Sequence, residues 1–97
     1  MATYIVLAHL TDQGIRNAKD TLKRMEAFKA IAQRFGVTVK EVYWTLGPYD
    51  SVVTLEAPDE EAVTALGLSV GALGNVRTQT LRAFSAEEMG RILGKMV

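Results

Sequence analysis

Residues 3–10, Thr-Tyr-Ile-Val-Leu-Ala-His-Leu, form a β-branched and apolar run that stops at the polar group Thr11-Asp12-Gln13-Gly14. Alternation places Tyr4, Val6, Ala8 and Leu10 on one side of a strand and Ile5, Leu7 and His9 on the other. Both sides are therefore apolar except at His9. A strand of that kind belongs in the centre of a sheet whose two faces are both covered. Whatever else the chain forms must supply two covers for one sheet.

The remaining residues predict the rest of the sheet and only one of the covers. After a first turn capped by Asp12, a long helix is expected to run to about Phe35, with Leu22, Met25, Phe28, Ile31 or Ala32, and Phe35 as its apolar stripe. Lys19, Lys23, Arg24, Lys29, Gln33 and Arg34 take the opposite side, and Gly36 is a C-terminal stop. Residues 37–46 read as a second strand, with Val42, Trp44 and Leu46 opposed to Glu41, Tyr43 and Thr45. Gly47-Pro48-Tyr49-Asp50 is a turn with proline at its second position, which suits a type I hairpin leading to a third strand over residues 51–56. Ala57-Pro58-Asp59-Glu60-Glu61 opens a helix with acidic residues at its positive end, and that helix closes near Leu73 before Gly74-Asn75. A fourth strand spans Val76 to Phe84. Ser85-Ala86-Glu87-Glu88 is then a capping box for a last helix with Met89, Ile92, Leu93, Met96 and Val97 on one face.

The order βαββαβ plus a C-terminal helix predicts an α+β, ferredoxin-like arrangement within a single domain, residues 1–97. Its four-stranded antiparallel sheet has the first and third strands central and carries helices on one face. The other face stays bare. A bare apolar face of several hundred Å² is unusual for a soluble monomer, so a second copy of the chain is expected to cover it, two-fold pairing being the simplest closed solution. The alternative is that the C-terminal helix folds beneath the sheet. From Ala62 to Val76 no residue is charged, and Gly67 and Gly71 flatten one side of that helix as Gly90 and Gly94 flatten the last one. These two helices are expected to pack on each other within one chain; a further subunit contact, and so a homo-oligomer larger than a dimer, is the other possibility.

Eleven basic residues balance eleven acidic ones, which removes the electrostatic term that drives nucleic-acid binding. The third strand also lacks the stacking aromatics of RNA-binding sheets. The first loop lacks the arginine of a phosphate cradle, which sets aside an acylphosphatase reading. With no cysteine, disulfides, thiol catalysis and the common zinc sites are excluded. A single histidine, His9, leaves no His-rich metal site within one chain, so neither a metal nor a cofactor is expected. Residues 1–12 are not expected to be a signal peptide, since they lack a basic start and an unbroken apolar run, and no stretch approaches the length of a membrane span; the cytoplasm is the expected compartment.

Four segments taken in order resemble the GYD domain family: Thr11-Asp12-Gln13-Gly14-Ile15-Arg16-Asn17, Gly47-Pro48-Tyr49-Asp50, Glu56-Ala57-Pro58-Asp59 and Gly74-Asn75-Val76-Arg77-Thr78. The resemblance covers nearly the whole chain and implies a small bacterial or archaeal protein similar to the dimeric α/β-barrel superfamily, in which two ferredoxin-like sheets close on each other. It carries over no catalytic residue.

Each candidate site residue has two readings. Tyr49 and Asp50 either complete the hairpin, Asp50 accepting backbone N–H bonds, or line the mouth of a pocket. His9 is either a hydrogen-bonded core residue or a general base. Trp44 is core, interface or an aromatic wall for a planar ligand. Arg77 and Thr78, on opposite faces of the last strand, either keep an edge soluble or meet a carboxylate or phosphate. Arg16, beside Gly14, is either solvated or an anion contact at a helix start. The functions consistent with this set are a small-molecule binding or sensing module, a cofactor-independent enzyme of monooxygenase, isomerase or decarboxylase type such as the barrel superfamily contains, and a purely structural oligomer.

Overall fold

A computed structural model describes residues 1–97 and contains four strands and four α-helices. In chain order these are β1 (Ala2–Leu10), α1 (Asp12–Arg16), α2 (Thr21–Arg34), β2 (Thr38–Trp44), β3 (Ser51–Ala57), α3 (Glu60–Gly71), β4 (Val76–Ala83) and α4 (Ala86–Leu93). The strands form one antiparallel sheet in the order β2-β3-β1-β4, so β1 and β3 are central as expected. The arrangement is ferredoxin-like.

The helix-bearing face is built on Tyr4, Val6 and Ala8 of β1 and Val53, Leu55 and Ala57 of β3, all buried. They meet Ala32 and Val37 from the α2 end and Val63 and Leu66 from α3. Only 11 of the 97 residues are buried. Each large one therefore matters: truncating the fully buried Leu55 to alanine would cost about 2–5 kcal/mol.

This fixes what alternation left open. Ile5, Leu7 and His9 lie on the face without helices, where β1 pairs Ile5 with Leu81 and Thr54, and Leu7 with Gln79 and Val52. The C-terminal helix does not cover this face. Arg82, which pairs in register with the buried Tyr4, bonds Glu88 at 3.0 Å and so holds α4 toward the helix side of β4. Leu81 remains 47% exposed.

Four expectations are corrected. The first helix is broken: Thr11, not Asp12, caps α1 through its hydroxyl, and a 3-10 turn at Ala18–Asp20 separates α1 from α2. Leu22 consequently lies off the buried stripe and is 70% exposed. Leu46, expected in β2, lies beyond the strand and is exposed. The glycine-bearing helices do not meet: a Cβ on Gly71 or Gly90 would have no atom within 4 Å, and a Cβ on Gly67 would meet only Thr78. A break of register between Val39 and Glu41 in β2 lets both Val39 and Val42 face the helices, against Leu55 and Val53.

Candidate functional site

The first and last of the four sequence segments meet at one end of the sheet. Thr11 donates its backbone N–H to the Asn75 carbonyl at 3.0 Å and its hydroxyl to the Gly74 carbonyl at 2.6 Å. Gln13 Nε2 reaches the Leu73 carbonyl and Asn75 Oδ1, both at 3.1 Å. Gly14 is buried so closely that a Cβ would stand 2.1 Å from the Asn75 carbonyl oxygen. The loop after β1 is thereby stitched to the loop before β4.

Beside this stitch lies a cavity of about 160 Å³ between α2 and the helix-bearing face of the sheet. Its walls are apolar, with Val6 and Ala8 below, Met25, Phe28 and Ile31 above and Leu73 at the side. Spacing explains the upper wall: Thr21, Arg24, Met25, Phe28 and Ile31 follow one face of α2. Trp44, at the end of β2, and Thr78, on the helix side of β4, both line this cavity. Two of the candidate residues are thus brought together here. Periodicity places Arg24 on the solvated side of its helix, yet it is the only charged residue lining the cavity. Periodicity reads an uninterrupted helix and has no access to the space left beneath its first turn.

The other candidates lie elsewhere. On the face without helices, the His9 and Tyr49 rings sit 4.8 Å apart at a tilt of 39°. The Tyr49 phenol donates to Gln79 Oε1 at 2.9 Å, and Arg77 stands opposite His9 in the β1–β4 register. No carboxylate hydrogen-bonds His9: the nearby Asp50 accepts instead from the Leu10 backbone N–H at 2.8 Å. Tyr49 is the bridge from hairpin to sheet, and Asp50 is its anchor. Arg16 is exposed in the last turn of the short α1, not at a helix start, and lines neither the cavity nor the His9 cluster. No group of three His, Asp or Glu side chains is placed to hold a metal ion.

The stitched loops, the anchored hairpin and the sheet order define a ferredoxin-like α+β protein with a cavity under its first long helix. The GYD domain profile matches residues 4–93, and the chain belongs to the GYD domain family. A Thermus thermophilus protein named glutamine synthetase and cystathionine beta-lyase binding protein is 39% identical over 93 residues, covering 92% of this chain and 95% of its own. The crystal structure of TTHA0845, also from Thermus thermophilus, is similar at TM-score 0.57 and 30% identity, over 89% of this chain and 96% of that one. An FFRP protein's crystal structure gives TM-score 0.62 at 21% identity, over 87% of this chain and all of that one, and bears on the fold alone. No helix is long and apolar enough to cross a membrane.

Proposed function

We propose that this chain is a binding module that takes a small molecule in the cavity between α2 and the sheet and works as a homodimer through its uncovered sheet face. The observation that carries the ligand reading is the cavity itself, concave and apolar with a few polar groups at its edge, as small-molecule sites usually are. A dry engineered cavity of about 150 Å³ is known to admit benzene, so a space of about 160 Å³ has room for a compact ring. The pairing reading rests on Ile5, Leu7, Val52 and Leu81 sharing one face with no helix over them. A small core and an apolar face together favour a second copy.

The test uses the chain's single tryptophan. Trp44 lines the cavity, so occupancy changes its emission. Small aromatic and branched aliphatic compounds are titrated in turn, with melting temperature as a second readout. At least one should shift both signals, and a panel that moves neither removes the ligand reading.

A second reading, docking on a metabolic enzyme, is favoured by the name of the 39% identical relative. Co-elution with the glutamine synthetase or cystathionine beta-lyase of the same organism would support it, and clean separation from both would count against it. The enzyme reading has the least support, because His9 has a ring neighbour but no carboxylate to orient it as a base.

A further inference from the structure

The geometry points to a specific ligand class for the cavity: a compact monocarboxylic acid, its carboxylate on Arg24 and its apolar body along Phe28 and Ile31. This rests on the reading of the cavity as a ligand site and adds the sign and position of the ligand's charge. Arg24 is the only charged residue in the lining, so a charge inside would meet a cation and no competing acid. The guanidinium has no carboxylate of its own. The four ion pairs of the chain are Lys29–Glu26, Lys40–Glu56, Arg82–Glu88 and Arg91–Glu87.

Arg24 instead donates to the Asn17 carbonyl at 2.7 Å, with longer contacts at 3.5 Å to the Gly14 carbonyl and the Thr21 hydroxyl. A guanidinium carries about five N–H donors in a planar fork suited to a carboxylate, so donors remain for a ligand. Thr21, Ser51 and Thr78 are among the other residues lining the same space.

Size sets the rest. Phe28 and Ile31 follow Arg24 along α2 by one and two turns and line the same cavity, so the acid's apolar part extends one ring or one branched chain beyond its carboxylate. Dicarboxylates do not fit, since a second charge would enter the apolar end without a partner.

The probes are benzoate, benzamide and benzylamine, which share a ring and differ in charge. Each is titrated against the full chain by Trp44 emission and by calorimetry. Benzoate should bind about tenfold or more tightly than benzamide, the size expected of hydrogen bonds to a charged group, and benzylamine more weakly still. Arg24→Gln should erase the benzoate advantage, Arg24→Lys should keep part of it, and Arg77→Gln on the opposite face should leave it unchanged. If Arg24→Gln does not fold, the three-probe comparison on the unaltered chain decides alone. Benzamide binding as well as benzoate overturns the carboxylate inference and leaves the ligand reading standing. Loss of benzoate binding in Arg77→Gln overturns the placement. No binding by any of the three at millimolar concentration overturns both.

Discussion

The carboxylate of Asp50 accepts the backbone N–H of Leu10 at 2.8 Å across 40 residues of sequence, while the Asp50 N–H donates to Ala8 at the same distance. One residue of the hairpin thus holds the end of a central strand with both its side chain and its main chain. Asp50→Ala should therefore destabilise the chain by about 1–3 kcal/mol, the cost of leaving a partly buried N–H unpaired. Asp50→Asn, which retains an acceptor, should cost less. Urea denaturation of the two variants checks this; equal losses would show that charge rather than acceptance matters.

Gly14 and Gly90 should respond to alanine in opposite directions. A Cβ at Gly14 runs into the Asn75 carbonyl, and backbone on both sides must shift to make room. Destabilisation of several kcal/mol is expected, enough to lower expression. Gly90 lies within α4 with open space around it. Gly90→Ala should raise stability by about 0.5–1 kcal/mol through helix propensity. Thermal melts of both variants against the parent measure the contrast.

Glu88 is held below the usual carboxylate range, first by the Ser85 backbone N–H of the capping box and then by Arg82. A lowered folded value means the contribution is present above the unfolded carboxylate pKa and is lost as pH falls through the folded one. α4 should therefore fray in acid while the sheet persists. In Arg82→Gln the Glu88 titration, followed by NMR, should rise toward the ordinary value without reaching it, because the Ser85 N–H remains.

Tyr43 shows the opposite shift. Its phenol donates to Glu41 Oε2 at 3.0 Å, and the neighbouring negative charge adds to that bond in raising its pKa. A raised folded value means the contribution is complete below the ordinary tyrosine range and is lost only as pH climbs through the folded value. Tyr43, followed by NMR, should titrate above the ordinary tyrosine range, and Glu41→Gln should bring it back toward that range.

Pairing through the uncovered sheet face predicts that Leu81→Asp is a monomer in light scattering where the unaltered chain is a dimer. Leu81 pairs with Ile5 near the middle of β1, so a carboxylate there would be desolvated by any partner sheet. Leu68→Asp, on the outer side of α3 at a residue 71% exposed, is the control and should not change the mass.

Much of the fold was legible because it rests on local signals. The two periods, the Ser85 box and the Gly36 and Gly74 stops locate their elements closely; both glycines adopt positive φ, at 72° and 85°. The break after Asn17 was not legible, since Ala18-Lys19-Asp20 suits a helix, while the bonds that pin the start of α1 run from Thr11 and Gln13 to Leu73, Gly74 and Asn75, far along the chain. The same limit governs the site. Trp44 and Thr78 stood out by chemistry, and the structure puts both on one cavity. Arg24 was hidden in a basic helix face, because a charge lining a cavity and a charge in water look alike in one dimension. The family segments are largely joints: Thr11, Gln13 and Asn75, and with them the candidate pocket residue Asp50, spend polar atoms on the chain itself.

Arg24 spans the break between α1 and α2, gripping the Asn17 carbonyl at 2.7 Å from the far side of the 3-10 turn. Its donors are divided between that bridge and the cavity wall, so replacing this side chain would loosen the joint between the two helices as well as alter the cavity. Rivet and wall are thus one side chain.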